Sequence, residues 1–467
     1  MVLHQSFIDE IKYLLGDEES QKLFEAIGKD QEESIRMNVN KTSCLSSPID
    51  VAEKYERVPW CTSGFYLNER LTYTFDPLFH AGVYYVQEAS SMFLSQVLNQ
   101  YVGDRNVKML DLCAAPGGKS TLARSTLSND SLLVVNEVVR NRAQVLAENM
   151  TKWGHDGVVV TGNEPADFVA LGGFFDVILT DVPCSGEGMF RKDAKAVTEW
   201  SVENVDNCWS RQREILRDIW PSLKEGGLLI YSTCTFNTKE DEENVQWIVD
   251  ELGAESLPVT VSSEWGITGN LMKTDTNVYR FLPGRTRGEG FFMAVLRKTS
   301  YAEPVFSSGK SKRNSKPALA VPANMKLWLK NPDEYTFDND GESITAVSTL
   351  HANDVALISK VLRVMQAGVK IAEVKGKDFV PSQALAMCVN RNEDAFPVVE
   401  LAYDRAIAYL RRESLILPAE VPKGYVIVTY RGAALGFVKN LGNRANNLYT
   451  QEWRIRSGYM PLEVKCL

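Results

Sequence analysis

Two cysteines, Cys184 and Cys234, each follow a short apolar run that begins at residue 174 and at residue 227, respectively. Both runs are typical of buried strands that end in a loop. Because ligands of open α/β sheets bind beyond the carboxyl ends of the strands, we expect both thiols in one crevice. Either cysteine alone would more often be a small buried side chain, but two of them at strand ends indicate chemistry by an activated thiol.

A glycine-containing turn, Cys113-Ala114-Ala115-Pro116-Gly117-Gly118-Lys119, follows another strand candidate that ends near Asp111. Paired glycines let backbone amides approach a ligand at a helix N-terminus, although a tight structural turn has the same composition. The turn lacks the GxGxxG spacing of dinucleotide folds and the full Walker A spacing. Glu137 closes the next strand, where a carboxylate either accepts hydrogen bonds from ribose hydroxyls or is simply solvated. Together these features indicate an adenosyl ligand without phosphates, S-adenosylmethionine.

Among the possible methyl acceptors, the presence of two thiols favours carbon-5 of a pyrimidine. Carbon-5 of a pyrimidine is too weakly nucleophilic until a thiolate adds to carbon-6, and a second group near the nucleophile assists its later elimination. Asp181, three residues before Cys184, is a candidate for hydrogen bonding to the cytosine edge or for capping the following turn. Lys119 either lowers the pKa of a nearby thiol or is a surface lysine. Spacing alone does not say which cysteine attacks.

Strands and helices alternate from Val107 onward, which predicts an α/β fold with a doubly wound, mainly parallel sheet. A serine-rich, basic stretch around residue 310 reads as a linker. Beyond it, Arg431-Gly432 is a predicted hairpin turn between strands 425–430 and 435–438. The predicted organisation is an N-terminal RNA-binding or accessory extension (1–105), a Rossmann-like core (106–300), a linker (301–318), a mixed α+β segment (319–387) and a strand-rich C-terminal region (388–467).

Composition narrows the class of protein further. The 467 residues are 44% apolar and 24% charged, without a signal-peptide pattern or an apolar run long enough to span a membrane. The eight cysteines include no CxxC pair, so we expect reduced thiols in the cytoplasm and no metal. A net charge of -9 argues against coating of nucleic acid by the whole surface. Basic residues nevertheless predominate from Lys423 onward, which indicates a C-terminal face for a polyanion.

The chain resembles the Nol/Nop/Sun group of S-adenosylmethionine-dependent RNA cytosine carbon-5 methyltransferases, nearest its bacterial RsmF-like ribosomal RNA branch. The motifs that carry this resemblance are 34–38 (SIRMN), 87–92 (QEASSM), 111–119 (DLCAAPGGK), 181–188 (DVPCSGEG), 231–235 (YSTCT), 288–292 (GEGFF) and 381–386 (PSQALA). They are spread over nearly the whole chain. The resemblance also implies that the C-terminal region, with residues 432–449, is a PUA-like RNA-binding domain, in which arginines contact phosphates and rings stack on bases.

Carried over to this sequence, the resemblance implies that Cys234 is the nucleophile and that Cys184 helps to release the product. It implies that residues 113–119, Glu137 and Asp181 surround the cofactor, with Asp181 also facing the base. Asn163 stands where the family has an aspartate near the adenine, and Glu164 is the alternative contact.

The implied function is methylation of carbon-5 of a cytidine in ribosomal RNA, of the small subunit. The expected partner is ribosomal RNA or the small subunit itself, and the protein is expected to be a monomer without membrane contact. Three alternatives stay open: the same reaction on transfer RNA, a non-catalytic RNA-binding factor of ribosome assembly, and a nicotinamide-dependent oxidoreductase.

Overall fold

The computed structural model describes residues 3–302 and 319–467 of the chain. The predicted linker at 301–318 therefore lies, except for its first two residues, outside the described residues. Within the described ranges, no helix is both long enough and apolar enough to cross a lipid bilayer.

The N-terminal region surrounds a small antiparallel sheet of strand order β2-β1-β3. The long helix α1 is kinked at Gly16, where the backbone takes a φ of +77°. The elements of this region are α1 (Gln5–Ile27), β1 (Ser34–Met37), α2 (Val39–Thr42), α3 (Val51–Lys54), β2 (Gly64–Tyr66), α4 (Pro77–His80), β3 (Tyr84–Val86) and α5 (Leu94–Tyr101).

The central region is built on a large twisted sheet in which the strands β4 to β8 run parallel. Its elements are β4 (Lys108–Asp111), α6 (Gly118–Thr126), β5 (Leu132–Asn136), α7 (Arg140–Trp153), β6 (Val158–Thr161), β7 (Phe175–Asp181), α8 (Ala194–Glu199), α9 (Val202–Ile219), β8 (Leu223–Thr233), α10 (Glu242–Leu252), β9 (Ala254–Ser256), β10 (Val278–Phe281) and β11 (Phe291–Lys298). Strands and helices alternate along this region, as the sequence predicts.

The central strands are apolar at successive positions because both faces of the sheet are covered. Along β5, Leu133 and Val135 belong to the core on one face, whereas Leu132 and Val134 belong to the core on the other face. Across the sheet, these strands lie in the order β10-β11-β8-β7-β4-β5-β6. From β4 the chain adds β5 and β6 on one side and then β7 and β8 on the other, so the strand order reverses between β4 and β7. A doubly wound sheet binds its ligands at this reversal, so the fold places a crevice beyond Asp111 and Asp181.

The segment after the undescribed residues comprises α11 (Ala323–Lys326), β12 (Tyr335–Asn339), β13 (Ser343–Ser348), α12 (Ala352–Val361), β14 (Val364–Ala367), β15 (Val369–Lys375), β16 (Asp378–Pro381) and α13 (Gln383–Met387). Strands β12, β13, β15 and β16 form an antiparallel sheet of their own. Strand β14, however, pairs antiparallel with β6 and extends the central sheet. This pairing has no counterpart in the sequence-based expectation.

The C-terminal domain comprises β17 (Val398–Glu400), α14 (Tyr403–Leu410), β18 (Gly424–Tyr430), β19 (Ala433–Asn440) and β20 (Ala445–Asn447). The predicted hairpin is present, with φ of +51° at Arg431 and +83° at Gly432, as a two-residue turn between twisted strands requires. One face of this sheet packs against the N-terminal region, where Val426 and Leu435 share a core with Phe75. The other face packs against the sheet formed by β12, β13, β15 and β16.

Candidate active site

The two cysteines meet beyond the ends of β7 and β8. These strands run parallel with Asp181 opposite Ser232, so the loops that follow them leave the sheet side by side. The Sγ atoms of Cys184 and Cys234 are 3.2 Å apart, and the backbone N–H of Cys234 also donates to Sγ of Cys184 at 3.4 Å. The hydrogen bond to Cys234, together with burial, raises the pKa of the Cys184 thiol well above its usual value. The thiol–thiol contact can form with either sulfur as the donor.

Asp181 and Lys119 form an ion pair at the same edge of the sheet. Nζ of Lys119, on the first turn of α6, lies 2.9 Å from Oδ2 of Asp181, and Oγ of Ser232 donates to Oδ1 at 2.8 Å. Burial lowers the pKa of Lys119, but the charge and hydrogen bond of Asp181, together with other nearby acidic groups, outweigh it, so the net pKa is raised. The carboxylate of Asp181 is one-third exposed, so it is oriented by two donors and still reaches the crevice.

The predicted cofactor turn lies between β4 and α6 in the same crevice. Gly117 takes a φ of +116° and is the N-cap of α6, a conformation that favours glycine. A Cβ atom at Gly118 would lie 3.5 Å from the ring of Tyr85, at ordinary van der Waals distance. The turn is fastened from outside, because Arg142 donates to the carbonyl of Ala115 at 3.1 Å and Asn149 to that of Pro116 at 2.8 Å.

Glu137 lies one strand further along the sheet, directly after β5. Its Oε1 accepts the backbone N–H of Val139 at 2.9 Å, and its Oε2 lies 3.4 Å from the guanidinium of Arg142. These contacts orient the carboxylate beside the turn that Arg142 also holds. The position suits the expected role at a ribose.

Asn163 is close to this site, but its side chain is already engaged. Its Oδ1 accepts the backbone N–H of Arg363 at 2.9 Å, and its Nδ2 donates to the carbonyl of Arg363 at 3.1 Å. The amide thus fastens β14 to the central sheet. Glu164, the alternative, is 57% exposed and lies 3.7 Å from Arg211 on α9. The structure brings the other predicted residues together around the crevice, whereas both polar atoms of the Asn163 side chain point to Arg363.

Asp111 belongs to the site and was not among the candidates from the sequence. It is fully buried at the end of β4, and its Oδ2 accepts a hydrogen bond from Ser120 at 2.6 Å. Its Oδ1 has no partner among the described residues. Burial raises the pKa of Asp111 to about 7. A signal was available, since Asp111 is an acidic residue at the end of a strand candidate and lies two residues before the glycine turn.

Cys113, the first residue of the turn, differs from the paired thiols. Burial raises the pKa of its thiol above the usual value, and the carboxylates of Asp111, Asp181 and Glu137 add to this effect. Cys113 is part of the turn, and its raised pKa disfavours the thiolate form. Residues 3–302 and 319–467 contain no group of His, Cys, Asp and Glu side chains arranged to hold a metal ion.

A doubly wound sheet, a glycine turn at its point of reversal and an acidic residue after the next strand define a Rossmann-type methyltransferase core. Comparison with protein families agrees with this class. Residues 96–297 match the model of the 16S rRNA methyltransferase RsmB/F, residues 3–89 match the N-terminal domain of 16S rRNA methyltransferase RsmF, and residues 396–455 match the RsmF PUA domain.

Curated relatives are similar over almost their whole length. The ribosomal RNA small subunit methyltransferase F of Escherichia coli O157:H7 is 30% identical over 453 residues, which cover 90% of this chain and 89% of the relative. The protein of the same name from Erwinia tasmaniensis is 27% identical, with 96% of each chain covered. The chain therefore belongs to the RsmF-type family of small-subunit ribosomal RNA methyltransferases. The resemblance, the fold class and the assignment as an RNA methyltransferase are confirmed.

Solved structures support the same fold. A methyltransferase homologue from Pyrococcus horikoshii superimposes with a TM-score of 0.53 at 28% identity, covering 63% of this chain and 95% of the other. NSun6 from the same organism, solved with SFG, has a TM-score of 0.53 at 20% identity, with 64% and 98% covered, and shows the shared fold.

Proposed function

We propose that this protein methylates carbon-5 of a cytidine in small-subunit ribosomal RNA, with S-adenosylmethionine as the methyl donor and Cys234 as the covalent nucleophile. The observation that carries the proposal is the contact between Cys184 and Cys234 beside Asp181. Ribosomal RNA is favoured over transfer RNA by the curated relatives, which are named as small-subunit enzymes. The non-catalytic alternative is disfavoured because both thiols and Asp181 are present and assembled.

The residues around the turn fit the proposed cofactor. The turn leads directly into the N-terminus of α6, Glu137 offers a carboxylate for ribose hydroxyls, and Asp111 holds a buried acceptor atom that no described residue uses. When bound there, S-adenosylmethionine supplies an electrophilic methyl group. Because both polar atoms of the Asn163 side chain are hydrogen-bonded to Arg363, we propose that contacts to the adenine come from other groups. The assignment of Asn163 to the cofactor site from the sequence stays a prediction.

The two thiols have separate roles in the proposed reaction. The thiolate of Cys234 adds to carbon-6 of the cytosine, which turns carbon-5 into a nucleophile toward the methyl group. Asp181, held by Lys119 and Ser232, is placed to hydrogen-bond the cytosine edge and to stabilise the ring during addition. After transfer, a base in the crevice takes the proton from carbon-5, the electron pair of that C–H bond restores the double bond between carbon-5 and carbon-6, and Cys234 leaves carbon-6 as a thiolate. Cys184, in contact with Cys234, assists this release.

The C-terminal PUA-like domain supplies the means to hold RNA. Lys423, Arg444, Arg454 and Arg456 are exposed on it, and such cations bind phosphates without reading sequence. A separate domain that binds the RNA backbone suits an enzyme whose target base must leave its stack. The remaining expectations, a cytoplasmic monomer and the domain boundaries, stay predictions.

The test supplies isotope-labelled S-adenosylmethionine with small-subunit ribosomal RNA, assembled subunits or transfer RNA, followed by nucleoside analysis. We expect label in 5-methylcytidine from the ribosomal substrates. Cys234→Ala should abolish turnover, whereas Cys184→Ala should accumulate a covalent protein–RNA species on a denaturing gel. Cys44→Ala, at an exposed cysteine, serves as the matched control. Label in another nucleoside, or in transfer RNA alone, would refute the proposal.

A further inference from the structure

The two loops that carry the thiols are fastened to each other by a reciprocal pair of buried carboxylates. Glu187 lies on the loop of Cys184, yet its Oε2 accepts the backbone N–H groups of Phe236 at 2.8 Å and Asn237 at 3.0 Å, on the loop of Cys234. Glu240 lies after Cys234, yet its Oε2 accepts the backbone N–H of Ser185 at 3.0 Å, next to Cys184. Each cysteine loop is thus held by a side chain from the other.

The polar groups around these carboxylates complete the lock. Nδ2 of Asn237 lies within hydrogen-bond distance of both, at 3.1 Å from Oε1 of Glu187 and 2.9 Å from Oε1 of Glu240. Gln212, on α9, donates through Nε2 to Glu240 at 2.7 Å and to the carbonyl of Pro183 at 2.9 Å. The backbone on both sides of Cys184 is therefore fixed, through Pro183 and Ser185.

Within the described residues, the hydrogen-bond partners of both carboxylates are N–H groups. Trp200 donates its indole N–H to Oε1 of Glu187 at 3.0 Å, so both oxygens of that carboxylate accept from the protein. Glu187 is 1% exposed and Glu240 is fully buried. Burying a carboxylate is costly unless it is fully hydrogen-bonded, so a pair placed in this way serves geometry rather than charge alone.

The distance that these contacts fix is the one that the proposed chemistry needs. The 3.2 Å separation of the thiols joins residues 50 positions apart, and each thiol sits on a loop rather than within a strand. The N–H of Gly188 donates to the carbonyl of Cys234 at 2.9 Å, a third link between the loops. A shift of about 1 Å between groups that react in sequence is enough to reduce the rate strongly.

We propose that Glu187 and Glu240 are positioning residues with separate duties: Glu187 sets the loop of Cys234 for addition, and Glu240 sets the loop of Cys184 for release. This inference rests on the proposed function, and neither residue touches the substrate. Replacing either carboxylate by an amide puts an NH₂ group against a donor, which displaces the loop that the carboxylate holds.

The test compares Glu240→Gln with Glu187→Gln in the full chain, under the conditions used for the cysteine variants. We expect Glu240→Gln to act like Cys184→Ala, with a covalent protein–RNA species on the gel and 5-methylcytidine formed at least about tenfold more slowly. Glu187→Gln should act like Cys234→Ala, with product and covalent species both reduced about tenfold or more. A role in stability alone would lower both steps equally and would produce no such difference.

The control is Glu243→Gln, which makes the same chemical change three positions from Glu240, at a partly exposed side chain that accepts no hydrogen bond from either loop. Melting temperature and S-adenosylmethionine affinity are measured for every variant. If Glu240→Gln does not fold, Gln212→Met removes the link to Pro183 and should also accumulate the covalent species. Absence of that species from the folded variant, or its accumulation in Glu187→Gln, overturns the inference. Absence from Cys184→Ala itself would instead show that the proposed function fails.

Discussion

Asp111 makes the folded protein sensitive to pH in a predictable direction. Burial raises its pKa from 3.8 to about 7, so the native state binds a proton that the unfolded chain has already released. Stability is therefore fully present below about pH 4, falls as the pH rises, and levels off above the folded-state pKa. One pKa unit corresponds to about 1.4 kcal/mol, so a shift of about 3 units removes about 4 kcal/mol between these limits. The substitution Asp111→Asn keeps the shape and removes the titration.

The assay is hydrogen exchange followed by mass spectrometry, because a chain of several domains has no single free energy of unfolding. The free energy of opening of peptides containing β4 is measured for the apoprotein from pH 5 to pH 8. We expect the wild-type value to fall by about 2 to 3 kcal/mol more than that of Asp111→Asn over this range. Asp130→Asn, at an exposed aspartate, is the control and should parallel the wild type. Equal slopes for the wild type and Asp111→Asn would show that Asp111 is already ionised in the fold.

Three further outcomes follow from contacts in the structure. Asn163→Ala should destabilise the junction with Arg363 by about 1 to 3 kcal/mol, which faster hydrogen exchange in β14 would show. A tenfold loss of S-adenosylmethionine affinity would instead place Asn163 in the cofactor site. Glu137→Gln should weaken that affinity about tenfold in calorimetry with the fold intact, whereas unchanged binding would remove it from the ribose site. Gly290→Ala places a Cβ atom 2.5 Å from the ring of Phe236, so it should lower the melting temperature and slow methylation, and wild-type values of both would contradict this packing.

The central sheet could be predicted because its strands are covered on both faces. A run such as Leu132 to Val135 has no polar position, and such runs alternate with helices of regular length, so local pattern and tertiary structure agree. The hairpin at Arg431-Gly432 was predictable for the same reason, since its turn chemistry is local. The family resemblance implied different roles for the two thiols, and the structure adds that their sulfur atoms lie 3.2 Å apart.

The features that could not be predicted depend on contacts between distant parts of the chain. Strand β14 pairs with β6 across about 200 residues, and no local pattern marks that edge as occupied. The same contact uses the side chain of Asn163, a residue that sequence reasoning places at the cofactor. In the sequence, Glu187 and Glu240 look like ordinary surface glutamates. Nothing in the residues around either one shows that it is buried and hydrogen-bonded to the loop that carries the other.

The shared core between the first and last domains makes the two ends of the chain one folding unit. The backbone N–H of Thr72 donates to the carbonyl of Lys465 at 2.8 Å, and the N–H of Lys465 donates to Oγ1 of Thr72 at 3.1 Å. The N–H of Leu467 donates to the buried carboxylate of Asp76 at 2.9 Å. Deleting the C-terminal domain would therefore uncover apolar side chains of the N-terminal region, Phe75 among them. If the truncated enzyme lost activity, the loss could be caused by this exposed core as well as by weaker RNA binding. Substitution of single exposed cations is the cleaner way to separate the two effects.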